Sequence, residues 1–140
     1  MKKRVVIAGC RNYTNYNEAK EYIDYCLCNI RKENEIIIIS GGANGADAIG
    51  ERYAAENRFK VEIYSAQWEK YGRSAGPKRN EEMAKICDCV ICFWDGKSRG
   101  TKSMIEYAKK HNKPIRIKNI YRREGPWSFR FDFININKWL

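Results

Sequence analysis

Along the first 118 residues, short apolar runs alternate with longer segments whose apolar positions recur every three or four residues. The runs are Arg4 to Ala8, Ile36 to Ser40, Val61 to Ser65, Cys89 to Phe93 and Pro114 to Lys118. Four consecutive isoleucines, Ile36 to Ile39, leave no polar side, which suits a strand covered on both faces of a parallel sheet. Between the runs, Ala19, Tyr22, Ile23, Cys26, Leu27 and Ile30 share one face of a helix that Asn15 or Asn17 would cap and that runs to about Lys32. A second helix is predicted from Ala46 to about Asn57, burying Ala48, Ile49, Tyr53 and Ala54. A third starts near Pro77, whose ring suits a first helical turn, and continues to about Ile86. A fourth follows Thr101, from Lys102 to Lys110. Ala66 to Gly76, rich in Trp, Tyr, Gly and Ser, reads as a loop. Strands alternating with helices predict an α/β sandwich on a mostly parallel sheet of about five strands.

The tail has another period. Trp127 to Phe133 alternates aromatic and polar residues, as a strand with one apolar face does. It would cover the core or add an edge strand, with a dimer contact or stacking on bases as the other readings. The division expected is one domain over residues 1–118 and a C-terminal extension over 119–140, packed on that domain or at a dimer contact.

Two junctions carry the candidate chemistry. Ile36 to Ile39 runs into Ser40-Gly-Gly-Ala-Asn-Gly-Ala-Asp47, where Gly41, Gly42 and Gly45 allow a tight turn before a helix whose positive end faces the loop. Cys89 to Phe93 runs into Trp94-Asp-Gly-Lys-Ser-Arg-Gly-Thr101 before another helix. One such loop is no more than a turn. Two, with Gly9-Cys-Arg-Asn12 after the first strand, would meet at one sheet edge and favour a phosphate or another anion.

Composition narrows the classes. At 140 residues, with 44% hydrophobic and 31% charged residues, the chain is ordinary for one globular domain. No apolar run approaches the ~20 residues that would span a bilayer, so no membrane partner is expected. Met1-Lys-Lys-Arg is followed by too short an apolar stretch for a secretion signal, which points to the cytoplasm. The six cysteines read as reduced core thiols rather than a disulfide framework. Cys89 and Cys92 have a zinc-like spacing, but in a strand they point to opposite faces, so no metal and no cofactor is expected. Residues 71–140 hold 16 of the 27 basic residues and only 7 of the 17 acidic ones. Such a half attracts nucleotides, nucleic acid or other phosphorylated partners.

Three segments in order, Ser40 to Asp47, Trp68-Glu-Lys-Tyr-Gly-Arg-Ser-Ala-Gly-Pro-Lys-Arg-Asn-Glu-Glu-Met83 and Phe93 to Thr101, resemble the YspA-like branch of the SLOG superfamily. That superfamily also holds the LOG-type phosphoribohydrolases and DprA. The resemblance covers about residues 4–118 and implies a Rossmann-like fold with a nucleotide-type site on the glycine loops. It places Gly41, Gly42, Gly45 and Asp47 on the first loop, and Arg99, Gly100 and Thr101 where LOG enzymes grip phosphate. Arg79, beside Asn80, falls where those enzymes carry a functional arginine. It also exposes a departure: the LOG glutamate three residues after Gly-Thr is here Met104, and Glu106 lies about 200° further round a helix. Methionine moves no proton, so ordinary LOG hydrolysis lacks its carboxylate.

The candidate ligand-binding set is therefore Gly9, Arg11, Ser40, Gly41, Gly42, Gly45, Asp47, Arg79, Asn80, Asp95, Gly96, Ser98, Arg99, Gly100 and Thr101. Arg79 and Arg99 offer guanidinium forks that match two phosphate oxygens. Asp47 could cap a helix, hold a metal or bind a ribose, and Asp95 could close a turn or accept a hydroxyl. Trp68, Tyr71 and Trp94 could stack on a base or fill the core, with Trp68 read as core. Three functions follow: a module that senses or sequesters a nucleotide or an ADP-ribose-like ligand; a nucleotide or nucleotide-sugar hydrolase with Asp47, Asp95 or Glu106 as its carboxylate; and a DprA-like nucleic-acid binder. A homo-oligomer remains open.

Overall fold

The computed structural model describes residues 1–120 and 133–140. Five parallel strands form the sheet: β1 (Lys2–Gly9), β2 (Glu35–Ser40), β3 (Lys60–Ile63), β4 (Cys89–Trp94) and β5 (Ile115–Asn119). A short sixth, β6 (Phe133–Ile136), pairs antiparallel with β5 at the edge. The spatial order is β3-β2-β1-β4-β5-β6. The chain thus winds outward from β1 in one direction, then restarts beside β1 and winds outward in the other, so the order reverses between β1 and β4.

The apolar runs explain the sandwich. Val5 and Ile7, Ile36 and Ile38, and Cys89, Ile91 and Phe93 project into one core cluster. Val6 and Ala8, Ile37 and Ile39, and Val90 and Cys92 project into a second on the opposite face. These three central strands therefore bury both sides, and Cys89 and Cys92 lie in different layers. Helices α1 (Tyr16–Leu27) and α3 (Ala46–Glu56) cover the first face, and α5 (Ala75–Ile86) and α6 (Arg99–Lys110) the second.

Several boundaries differ from the sequence reading. Helix α1 has its cap at Asn15, whose side chain accepts from the Glu18 amide at 3.2 Å, but it stops at Leu27 instead of Lys32. A separate turn, α2 (Ile30–Glu33), delivers Ile30 to the same core. In α3, Ala48 faces solvent; the buried face is Ala46, Asp47, Ile49, Gly50, Tyr53 and Ala54. The segment read as a loop contains α4 (Trp68–Tyr71) and a 3₁₀ turn (Gly72–Ser74) before α5, and Trp68 is 52% exposed rather than core. Strand β3 ends at Ile63, and the Tyr64 amide then donates to the Ser40 carbonyl at 2.8 Å. Of the predicted tail strand, residues 127–132 lie outside the described residues; the described edge strand is Phe133–Ile136. No described helix is long and apolar enough to cross a membrane.

Candidate functional site

Parallel strands place the loops after β1, β2 and β4 at one edge, and hydrogen bonds join those loops. The Cys10 amide donates to the Phe93 carbonyl at 3.0 Å, holding the first loop against the end of β4. The Ala46 amide donates to the Cys10 carbonyl at 3.2 Å, fixing the start of α3 to the first loop. Gly45, at φ +71°, is required here: a Cβ would drive into the carbonyl oxygens of Cys10 and Arg11. Helix α3 has no side-chain cap; the Cys10 carbonyl takes its first amide, and the positive end of the helix points at the loops. Helix α6 is capped within the chain, Ser98 Oγ accepting from the Thr101 amide at 3.5 Å and from Thr101 Oγ1 at 3.2 Å.

Between these loops, where the strand order reverses, lies a cavity of about 310 Å³. Open parallel sheets bind ligands at this position. The loop after β1 contributes Gly9 and Arg11, and the glycine loop contributes Ala43 with Asp47 from α3. Helix α5 contributes Arg79 and Asn80, and the loop and helix after β4 contribute Asp95, Ser98, Gly100 and Thr101. Ala8, Met83 and Met104 make an apolar part of the wall. A second cavity of about 300 Å³ adjoins it, reached by Gly41, Gly42, Ser65 and Trp68, and shares Arg11, Ala43 and Arg79 with the first.

Asp47 is 7% exposed. Its Oδ2 accepts from the Ala43 amide at 3.1 Å, its other oxygen has no hydrogen-bond partner among the described residues, and the residue lines the cavity. Burial pushes this carboxyl above its ordinary pKa, against the opposing pull of the Ala43 amide and of Arg79. Arg79 lies across the glycine loop: Nη1 donates to the Gly41 carbonyl at 2.5 Å and to the Tyr64 carbonyl at 3.3 Å, and Nε donates to Asn80 Oδ1 at 3.0 Å. Gly41 makes room for it, since a Cβ there would strike the guanidinium. Burial and the like charge of Arg11 lower the Arg79 pKa, while Asp47 opposes that shift. Asn80 is buried and donates to the Gly100 carbonyl at 3.3 Å and Ser103 Oγ at 3.4 Å, tying α5 to α6. Asp95 closes a turn: its Oδ1 accepts from the Ser98 and Lys97 amides, each at 2.8 Å, and these bonds lower its pKa.

Other candidates are not on the cavity walls. Ser40 is fully buried, donates to Glu51 Oε2 at 2.7 Å and accepts from the Gly42 amide at 3.1 Å, so its role is to shape the loop. Gly45 and Gly96 line neither of the two cavities. Arg99 is the exposed first residue of α6, not part of a preceding loop, and lies outside both walls. Glu106 is exposed, 4.0 Å from Lys102, and is likewise absent from both. Met104, at the position where the LOG resemblance calls for glutamate, is 1% exposed and packs in the core while touching the cavity.

The sequence reading missed Cys10, Met83 and the whole second cavity. Met83 was within reach of it, since it lies four residues after Arg79 on the same helix face. Cys10 lies in the Gly9–Asn12 loop that the sequence reading brought to this edge without singling it out, and burial holds its thiol above its ordinary pKa.

Comparison with known proteins adds five matches. A family model described as the YspA, cpYpsA-related SLOG family matches residues 3–71. The Gene 61 protein of Mycobacterium phage D29 is 36% identical over 119 residues, covering 81% of this chain and 94% of that protein. DNA processing protein A from Helicobacter pylori, a structure described for its single-stranded DNA binding mode, superposes with a TM-score of 0.64 at 22% identity, over 88% of this chain and 68% of that one. DprA from Streptococcus pneumoniae gives 0.62 at 19% identity, and this chain spans 82% of itself and about half, 49%, of that chain. TM1055 gives 0.59 at 21% identity, over 93% and 79% of the two chains. At these identities the structural likeness establishes the Rossmann-like fold.

Proposed function

The chain belongs to the YspA, cpYpsA-related SLOG family, and from that premise we propose that it binds a phosphorylated nucleoside in the cavity between β1 and β4. The observation that carries this reading is the convergence of Arg11, Arg79 and the uncapped start of α3 on one cavity at the reversal of the strand order. Two guanidinium groups that repel one another share the walls with Asp47 and Asp95, so it is the local placement of Arg11 and Arg79 side by side, not a net charge of the lining, that favours an anion. The amides at the α3 start add the fixed dipole that favours phosphate. The free oxygen of Asp47 suits a ribose hydroxyl, and Ala8, Met83 and Met104 suit the apolar face of a base or sugar.

The test is calorimetry with the four nucleoside 5′-monophosphates. Arg11 is exposed and its side chain makes no hydrogen bond among the described residues, so Arg11→Ala removes charge without disturbing the fold. Binding by the wild type that falls about tenfold in this variant supports the reading, since a charge-assisted bond is worth ~1.5–3 kcal/mol. No binding, or binding indifferent to Arg11, rejects it.

One observation favours a second reading, hydrolysis of an N-glycosidic bond: Asp47 is a buried carboxyl on the cavity wall with raised proton affinity and one oxygen without a hydrogen-bond partner among the described residues. Chromatography after incubation with nucleoside monophosphates and ADP-ribose decides it, through base release that Asp47→Asn abolishes.

A further inference from the structure

The sheet ends at β3, and that end is open. Strand β3 pairs with β2 alone, in a regular parallel register from Lys60 opposite Ile37 to Ile63 opposite Ser40. The Tyr64 amide donates to the Ser40 carbonyl, so by alternation Glu62 also turns its backbone groups toward β2. Val61 and Ile63 turn theirs to the free side, where they have no hydrogen-bond partner among the described residues. Proline and bulges guard many such edges, and β3 has neither. Lysine is another guard, but Lys60 has its complement, Glu62, on the same face two residues on.

That spacing selects a partner. Only residues of one parity can hydrogen-bond across the free side, so an antiparallel second copy would be centred on Lys60, Val61, Glu62 or Ile63. Centring on Lys60 or Glu62 sets like charges face to face, and centring on Ile63 runs past the end of the strand. Centring on Val61 sets each Lys60 opposite the Glu62 of the second copy. On the other face it sets Val61 opposite Val61 and Ile63 opposite Phe59. Ile63, 54% exposed, would gain cover there. Lys60 already lies 3.5 Å from Glu35, and Arg4 lies 3.1 Å from Glu62. The seam would therefore continue a row of alternating sign, Glu35, Lys60, Glu62, Arg4, from one copy into the next.

We propose that a second copy of this chain adds to the β3 edge as a two-fold, antiparallel strand pair centred on Val61. The two sheets run on as one, and because the paired strands oppose each other, the cavity-bearing edges of the two copies face opposite ways. A contact built on a four-residue strand falls at the small end of interfaces, below ~1,200 Å², which makes the dimer weak and dependent on concentration.

The experiment is sedimentation velocity of the full chain over a concentration series. The wild type should pass from monomer to dimer as concentration rises. Lys60→Glu and Glu62→Lys each set like charges opposite in their own dimers. Each should weaken dimerisation about tenfold, the scale of turning two favourable cross-strand pairs into two repulsive ones. Mixed in equal amounts, the two variants meet with opposite charges, and the mixture should regain dimerisation close to that of the wild type. Val61→Pro removes an amide that faces away from β2, so it should abolish the dimer and leave the circular dichroism spectrum unchanged. A wild type that stays monomeric throughout overturns the proposal. A dimer that both charge variants keep, or that a folded Val61→Pro keeps, also overturns it. So does a mixture no better than its parts, since the charges would then act within the chain through Arg4 and Glu35. If Val61→Pro fails to fold, the mixture of charge variants decides alone.

Discussion

Asp47 shows how a single side chain can sit at odds with stability in a way that suits a ligand. Burial raises its pKa in the folded chain, so the folded state holds the proton more tightly than the unfolded state. Stability is therefore greater at acid pH, where both forms are protonated, and is lost as pH rises from the ordinary carboxylate value through the raised folded one. Asparagine does not ionise and can still accept from the Ala43 amide. Asp47→Asn should accordingly be more stable than the wild type in urea melts at pH 7, and the advantage should shrink as the pH falls toward 3. An Asn variant less stable at pH 7 would show that the attraction of Arg79 outweighs desolvation. At this scale the sequence was legible where a residue's place followed from its motif, as for Asp47 and Arg79. It misled where a helix start decided the direction of a side chain. Arg99 read as a loop residue, but Ser98 caps α6 one position earlier and turns Arg99 to solvent.

At the scale of elements, the weld between the first two loops controls the site. The hydrogen bond from Ala46 to Cys10 exists because Gly45 takes a left-handed conformation with no side chain between the loops. Gly45→Ala adds backbone strain of ~1–3 kcal/mol and a collision with two carbonyl groups, so thermal unfolding should show a loss of at least that size. A variant that keeps its melting temperature would mean that the loops separate freely. The start of α6 offers a milder case. Asp95 accepts from two amides of the turn that leads into α6, and these bonds lower its pKa. Its contribution is present above the ordinary carboxylate pKa and fades as pH falls through the lowered folded value. Asp95→Ala should cost about 1 kcal/mol at neutral pH and progressively less under acid, a trend that denaturant titration across pH can follow. Strands and helices were legible because the isoleucine run and the helical spacing each fit one period. The segment from 66 to 76 was not, since four residues of helix and a 3₁₀ turn are too short to show a period.

At the scale of the whole molecule, right-handed crossovers predicted that three loops would share an edge, but not that β1 and β4 would be neighbours with a cavity between them. That placement depends on strand order, which local pattern does not encode. The charge surplus can be read from composition, yet its purpose depends on geometry. A net charge of +10 could serve a small anion in a pocket or a polyanion lying across the surface. Exposed Lys78, Lys97, Arg99 and Lys102 sit on the elements that frame the first cavity without lining it. They can steer an anion without holding it. The two uses differ in their response to salt. A pocket ligand with two phosphate charges releases few counterions, and its affinity should fall with a logarithmic slope of about 2 or less. A single strand contacting the surrounding lysines and arginines would show a slope near 0.7 for each phosphate neutralised, about 4 or more for a strand crossing this edge. Measuring AMP and oligonucleotide affinity from low to moderate salt separates them. We expect the shallow slope for AMP, and an oligonucleotide that binds only weakly once salt is physiological. A steep slope with tight oligonucleotide binding at that salt would show that the basic half serves a polymer, with the pocket as one contact along its path.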